Sequence, residues 1–539
     1  MKKVLRNGLL FLDLPQGDIL SAGFVIMFLA MLSGVFGLIR DRLLAANFTP
    51  DLVGIYFASF VIPDNIFQVF ILSAVGVAFI PVFSKYQKQH EEWRLARSVL
   101  NASLLFFLII TVIIIVLTKP LSFLIVPGLY KENAQHIDLL VNLTRIILLA
   151  QPFFVLSYFC TGVLQSYQRF LVPASASLFY NIGIILGILF LAPVFGMYGV
   201  ALGIILGAFL HFAIQVVFVW RLGFSYNFDF RVFHPGVLEI VRLMIPRSIS
   251  IAIERAKLTV DTILASVISL SSITYLNFAL HVAVFPVSLV AASVAQAAFP
   301  FFAQARARGD MEEFKKHLRL SLIHIIFLLA PASVLLVIFH TPIVRLVFGA
   351  PLFSWTATVL TAQTLAILSL GLIAQGLSNI LARGFYALFD TKTPLIMTVI
   401  SITTTIALSL FFVLYLKLDV RALAVSTTVG SFINAMVLFI LLNRKIGSFL
   451  DARFMGSLIK IFFMSALLAV VSYAMLKLLE QYFNTSFTLT LLLFTVLVAL
   501  ISSAFYLLLS FLFNLSEYKE LFLLFQKAGA IHKRLTREN

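Results

Sequence analysis

The chain has 539 residues, of which 61% are hydrophobic and 12% charged, with a mean hydropathy of +1.06. A soluble protein of this length needs far more polar surface, so that class is excluded. A net charge of +16 would suggest nucleic acid in a soluble chain; in a membrane chain the positive-inside bias of the loops accounts for it, and no nucleic-acid partner is expected.

In chain order, fourteen apolar stretches are long enough to cross a hydrocarbon core. They cover residues 19–40, 54–83, 97–118, 137–165, 172–193, 197–220, 237–268, 272–303, 317–340, 354–386, 393–416, 420–442, 456–479 and 487–513. Lipid offers no water to backbone amides, so each stretch is predicted to be a helix; barrel strands would be shorter and would alternate. The start, Met1 to Asp18, is basic but interrupted by Asp13 and Asp18, so the first span is expected to serve as its own uncleaved signal. The lone cysteine, Cys160, excludes an internal disulfide and reads as core packing.

The first twelve spans are two copies of one unit. Ala78-Phe79-Ile80-Pro81-Val82-Phe83 answers to Ala298-Phe299-Pro300-Phe301-Phe302, and Pro173 to Pro394. Gly207-Ala208-Phe209-Leu210 answers to Gly430-Ser431-Phe432-Ile433, and Arg221 to Arg444. Each pair is separated by roughly 220 residues, the mark of a duplicated module. Duplicated helix bundles with a substrate site between the halves are a common plan for secondary transporters. The expected fold is an all-α polytopic membrane protein. It has two pseudo-symmetric six-helix lobes (1–225 and 226–446), then two further helices and a tail (447–539).

Loop charge sets the orientation. With the N-terminus inside, the inner loops and tails include Met1–Arg6, Lys85–Arg97, Arg306–Arg319, Arg444–Arg453 and Lys519–Arg537. They hold roughly 25 Lys and Arg against about 8 outside, which places both termini in the cytoplasm. Glu312, Glu313, Lys315 and Lys316 within Ala303–Arg319 predict a short amphipathic helix on the membrane surface. Tyr518, Leu521, Phe522 and Phe525 predict another in the tail after Ser516.

No Gly-rich loop ends in Lys-Ser or Lys-Thr, no His-Glu-x-x-His or Cys/His cluster is present, and no Gly-x-Ser-x-Gly elbow occurs. The expectation is a transporter and not an enzyme, drawing on an ion gradient, the membrane potential or a substrate gradient.

Charge inside a membrane helix costs roughly 2.5–3.5 kcal/mol, so it marks a cavity or a partner. Arg40-Asp41-Arg42 closes the first span. Asp41 is placed to orient one guanidinium while the other stays free for phosphate, which the planar arginine fork binds in pairs. Pro63-Asp64-Asn65 lies in the second span, as a kink or as substrate contact. Arg145 in the fourth span is expected to face a cavity. In the seventh, Glu254 pairs with Lys257 at helical spacing, while the deeper Asp261, between Thr259 and Thr262, is a candidate cation ligand. His281 in the eighth span lies five residues before Pro286 and is expected to face a cavity. Hydroxyls follow at Thr403, Thr404, Thr405, Ser409, Ser426 and Thr427; they either bond back to their own helix or ligate an ion.

These residues carry a resemblance to the MurJ/MviN-type lipid II flippases of the MOP (multidrug/oligosaccharidyl-lipid/polysaccharide) exporter superfamily. The matching stretches are Gly37-Leu38-Ile39-Arg40-Asp41, Ile62-Pro63-Asp64-Asn65, Ala78-Phe79-Ile80-Pro81, Leu143-Thr144-Arg145, Val260-Asp261-Thr262-Ile263-Leu264-Ala265-Ser266 and Phe285-Pro286. Arg383-Gly384-Phe385-Tyr386-Ala387, followed by Asp390-Thr391-Lys392-Thr393-Pro394, completes the set. The resemblance implies two lobes in a V around a cationic cavity, a groove for the lipid tail at the last two helices, and export of undecaprenyl-diphosphate-linked disaccharide-pentapeptide. It implies cavity arginines where this chain has Gly34, Phe67 and His281, and an acidic residue where it has Gly54. It implies a sodium site that keeps Asp261 but has Thr405 and Ser409 in place of an amide and a carboxylate.

The expected substrate ligands are thus Arg40, Asp41, Arg42, Asp64, Arg145 and His281. The expected sodium ligands are Asp261, Thr405, Ser409 and Thr427. The coupling ion is Na⁺ or H⁺ if there is one, and no other cofactor is expected. The expected setting is the bacterial inner membrane, as a monomer among membrane lipids. A flippase for another polyprenyl-diphosphate saccharide would use the same site. A cation-coupled drug exporter of the superfamily would not need the two added helices.

Overall fold

A computed structural model of the chain describes residues 19–131, 134–226, 234–485 and 487–515. Among these residues every regular element is helical and no strand occurs. Among the described residues eleven helices are long and apolar enough to cross a membrane, and twelve when the bent pair Trp355–Leu370 and Leu372–Ala387 counts as one span. The protein is therefore a multi-pass membrane protein. The other two of the fourteen expected spans fall on helices Ile19–Asn47 and Pro235–Ile268. The second of these has seven ionisable residues, from Glu239 to Asp261, which explains why composition alone does not mark it as a span. The predicted tail helix after Ser516 and the start before Asp18 lie outside the described residues.

The chain divides into two compact units. The first takes in the described residues up to Asn277, with Val347–Ala357 and Val413–Val420. It contains α1 (Ile19–Asn47), α2 (Pro50–Ser59), α3 (Val61–Phe67), α4 (Ile80–Gln87), α5 (Glu92–Ile125) and α6 (Ala134–Leu148). After these come α7 (Gln151–Ser166), α8 (Leu171–Leu186), α9 (Ala192–Phe195), α10 (Met197–Arg221) and α11 (Pro235–Ile268). The first two turns of α12 (Leu270–Ala307) belong here as well.

The second span breaks at Phe60, between α2 and α3. Pro63 is the third residue of α3. Having no N–H, it cannot bond the Ser59 carbonyl, and its ring crowds that carbonyl. Between α3 and α4 the chain winds as π-helix over Gln68–Leu72 and Val75–Phe79. Such widened turns are rare and occur mostly as single insertions. α8 and α10 touch backbone to backbone: a Cβ on Gly183 would stand 2.2 Å from Gly207 Cα, and one on Gly187 2.5 Å from Gly203 Cα.

α11 is counted in the second half of the repeat but packs within the first unit. Polar pairs fasten it to the second span. Asn65 Nδ2 donates to Thr259 Oγ1 at 2.8 Å, Ser248 Oγ donates to the Val69 carbonyl at 2.8 Å, and Ser73 and Ser248 share a hydroxyl bond of 2.8 Å. Just beyond its end, in the first turns of α12, Ser271 donates to Asp51 and Thr274 Oγ1 to the Pro50 carbonyl at 2.6 Å.

Gly54 lies at that junction. A Cβ there would meet the Leu270 carbonyl oxygen at 2.2 Å. The acidic residue that the resemblance implies at this position is thus replaced by a close backbone approach. Gly54→Val is expected to lower stability by about 1–3 kcal/mol or more, the range for overpacking. Thermal unfolding in detergent checks it, and an unchanged midpoint would show that the junction yields.

The second unit comprises Phe278–Leu346, Thr358–Phe412 and the described residues after Arg421. It holds the rest of α12, then α13 (Met311–Ile338), most of α14 (His340–Phe348) and α15 (Trp355–Leu370), and α16 (Leu372–Ala387). α17 (Lys392–Leu410), α18 (Arg421–Ile446), α19 (Ala452–Glu480) and α20 (Thr488–Leu512) complete it. The duplication is visible here. α8 and α17 each have proline as their third residue and each run on into a π-helical turn, Gly187–Leu191 and Phe411–Tyr415.

The surface helix expected over Ala303–Arg319 does not form as a separate element. α12 runs to Ala307 and α13 starts at Met311. Gly309 turns the chain at φ +73°, and Asp310 caps α13 by accepting from the Glu313 amide at 2.8 Å. Glu312, Glu313, Lys315 and Lys316 therefore form the first turns of a spanning helix.

The Asp390-Thr391-Lys392-Thr393 motif also has a local explanation. Asp390 accepts from the Thr393 amide at 3.0 Å and hydroxyl at 2.7 Å, and Lys445 reaches it from the end of α18. Desolvation pushes this carboxyl up, but the Lys445 and Thr393 bonds outweigh it and hold the pKa at about 2. The motif ties the α16–α17 turn to α18.

Candidate functional site

The charged turn of α1 lies inside the first unit, where α1 packs on α8. Asp41 has 1% of its side chain exposed and Arg40 16%. One Asp41 oxygen accepts from Arg40 Nε at 3.0 Å and NH2 at 2.8 Å. Arg40 NH1 donates to Asn181 Oδ1 on α8 at 3.2 Å. Asn181 Nδ2 in turn donates to the carbonyl and hydroxyl of Ser33 and to the Ser177 carbonyl. These bonds use three of the five guanidinium N–H donors of Arg40. Asp41 therefore orients Arg40, as expected from the sequence, and also neutralises it. Tyr56 and Tyr180 lie within electrostatic reach of this pair. Asn181, Tyr56 and Tyr180 were not singled out from the sequence, since an amide and two phenols on apolar helices have no spacing signal. Arg42 is half-buried next to the pair.

Asp64 and Asn65 do not cap the freed carbonyls of their own helix. Asn65 is bonded to Thr259, and Asp64 is half-buried, within reach of Arg255 on α11 and Tyr158 on α7. Phe67 stands where the resemblance implies an arginine. It is 8% exposed, and its ring meets Tyr158 edge-on at 4.9 Å and Phe154 at 5.5 Å. Ile71, Phe107 and Val155 complete this apolar cluster.

Arg145 has other company. Its Nε donates to the Ile115 carbonyl of α5 at 3.2 Å, close to the level where Pro120 removes a donor from that helix. The contacts of Arg145 are with α5 and those of Arg40 with α1 and α8, so the structure gives the two arginines separate partners.

In α11, Lys257 Nζ lies 2.7 Å from Asp261 Oδ2, with 14% and 4% of the two side chains exposed. Lys257 thus engages the deep carboxylate, where the sequence pairs it with Glu254. Three of the four sodium ligands expected from the resemblance have protein partners in the structure. An ammonium already occupies the Asp261 carboxylate. Thr405 Oγ1 donates to the Ser401 carbonyl at 2.9 Å, and the Thr427 carbonyl accepts from Ser431 at 2.9 Å. The buried Ser409 hydroxyl and Asp261 Oδ1 have no hydrogen-bond partner. Asp261 belongs to the first unit, and Thr405, Ser409 and Thr427 to the second. Among the described residues no group of three or more His, Cys, Asp or Glu could hold a metal.

His281 is half-buried in α12, in the second unit. The same unit has an apolar cavity of about 430 Å³ bounded by α13, α16, α18 and α19, with Leu322, Leu377, Met436 and Phe462 on its walls. Of the last two helices, to which the resemblance assigns a tail groove, α19 lines this cavity and α20 does not.

The family model for "Lipid II flippase MurJ" matches residues 44–507. The chain is 28% identical over 428 residues to a lipid II flippase MurJ of Burkholderia cenocepacia, covering 77% of this chain and 82% of that protein. It is 27% identical to a probable lipid II flippase MurJ of Bdellovibrio bacteriovorus, over 79% and 82% of the two. A solved structure of lipid II flippase MurJ in an inward closed conformation superposes with a TM-score of 0.74 at 24% identity, over 90% of this chain and 98% of that one. An inward-facing multidrug resistance MATE transporter of the MOP superfamily gives 0.66 at 15% identity, over 79% and 98%. These two likenesses concern the fold. The family model runs from the end of α1 into α20, and on that match the chain belongs to the lipid II flippase MurJ family.

Proposed function

We propose that this chain carries lipid II from the inner to the outer leaflet of the bacterial cytoplasmic membrane by alternating access, with no covalent chemistry of its own. The observation that carries the reading is the family match across residues 44–507. The physical need is clear: a diphosphate with its sugars and peptide cannot enter hydrocarbon unaided, whereas a prenyl tail can stay there. Arg40, fixed by Asp41 and Asn181, is rigid enough to present its remaining N–H groups to an anionic oxygen. Arg42 and Asp64 are the further proposed head-group contacts in the first unit, and Arg145 supports α5. The tail is assigned to the apolar cavity beside α19. The two six-helix lobes and the C-terminal pair remain the proposed functional division, with both termini cytoplasmic and the protein working as a monomer.

Coupling to Na⁺ is not part of the proposal, because Lys257 supplies the positive charge at Asp261. The ring of Phe67 and the imidazole of His281, each where an arginine is implied, favour one second reading: a polyprenyl-diphosphate lipid with a different head. Complementation tests both. A bacterium depleted of its own flippase is expected to regain growth when this chain is expressed. Accumulation in the membrane without rescue would overturn the lipid II assignment and leave the second reading.

A further inference from the structure

The first unit contains a second apolar cavity, of about 400 Å³, away from the charged turn of α1. It is an elongated slot. On α11 it is lined at Val237, Val241, Met244 and Ser248 down to Ile249, successive turns of one face. α5 supplies Val99, Ala102, Ser103 and Phe106 at the same spacing, and the π-helical stretch between α3 and α4 closes the back with Phe70, Ala74 and Val75. Twelve residue steps along α11 amount to about 18 Å at 1.5 Å each. One leaflet's hydrocarbon is about 15 Å deep, so the slot has the length of a single acyl chain.

The walls offer almost nothing polar. The Ser248 hydroxyl is committed to Val69 and Ser73. The slot is open along its side, where Val241 is 44% exposed and Ile249 55%. The end at Val99 and Val237 is different. Lys85 pairs there with Glu239 at 3.0 Å, Arg97 donates to the Ser225 carbonyl, and the exposed Arg242 follows one turn after Glu239. Arg97 thus precedes the lining residue Val99 by two positions and Arg242 directly follows the lining residue Val241, so two arginines flank the slot beside a neutralised Lys–Glu pair.

We propose that this slot holds one acyl chain of an anionic glycerophospholipid, with the lipid phosphate at Arg242 and Arg97. A resident membrane lipid is the occupant, and not the transported polyprenyl lipid. The slot matches the depth of one leaflet, whereas a polyprenyl tail of fifty-odd carbons would overrun it about threefold. The site does not depend on the transport reading, and its test involves no transport.

The full chain is reconstituted with phosphatidylglycerol carrying a mid-chain photoreactive diazirine, and labelled peptides are mapped. Labelling is expected to concentrate on peptides 99–107 and 237–249 over the lipid-exposed face of α20. Arg242→Gln, a change at an exposed side chain that leaves the fold intact, is expected to weaken it about fivefold. The same probe on phosphatidylcholine is expected to label the slot weakly. Ala102→Trp fills the slot and is expected to bring labelling down to that of α20. Uniform labelling of all exposed helices, equal labelling by phosphatidylcholine, or an unaffected Arg242→Gln protein would each overturn the proposal. Competition by a polyprenyl phosphate stronger than by unlabelled phosphatidylglycerol would overturn it in favour of the tail.

Discussion

Arg40→Ala is expected to abolish rescue of a flippase-depleted strain and to unfold the protein at markedly lower temperature. Asp41 is 1% exposed, and removing Arg40 breaks a buried ion pair from one side, a change that costs ~3–5 kcal/mol. Loss of growth in the single variant would therefore mix two causes. Replacing both residues, Arg40→Ala with Asp41→Ala, separates them. The double variant removes both charges and is expected to recover most of the lost stability, because a buried pair contributes little net energy over apolar groups of similar volume. It is still expected to fail in rescue, since no fork is left to hold phosphate. A stable double variant that restores growth would take Arg40 out of the transport mechanism.

Lys257→Gln is the second large effect. In the wild-type protein the melting temperature is expected to be the same in Na⁺ and in K⁺, because the Lys257 ammonium already meets Asp261 at 2.7 Å. The variant is expected to lose ~3–5 kcal/mol by the same argument, a buried pair broken from one side. It is also expected to regain part of that in Na⁺: a small cation at a hundred times its dissociation constant stabilises by about 2.7 kcal/mol. Unfolding midpoints of both proteins in matched NaCl and KCl decide the matter. A wild-type midpoint raised by Na⁺ would show that the lysine leaves room for an ion.

The fold was largely legible because lipid makes hydropathy an almost direct readout of helix position. The exceptions are instructive. The helix bearing Glu254, Lys257 and Asp261 fails a composition test for a span, yet its length of apolar sequence puts it among the fourteen expected stretches. The surface helix over Ala303–Arg319 was misjudged because an Asp310 cap and a Gly309 turn look, in sequence, much like a linker. At the site, Asp41 beside Arg40 was legible from adjacency. The Lys257–Asp261 pair was available at a spacing of four but lost to the equally allowed Glu254. Asn181, 141 residues from Arg40, could not be read without the fold. The partners of Arg145 and Phe67 depend on which face of each helix turns inward, and in spans that are apolar all round, periodicity does not say.

The glycine contact between α8 and α10 limits how this unit can deform. With Gly183 on Gly207 and Gly187 on Gly203, the paired backbones interlock with no side-chain layer to shear, so the two helices behave as one beam. Any swing of the unit must then be absorbed elsewhere, and the widened turns of the second span and the proline of α11, Pro246, are the pliable places left to bear it.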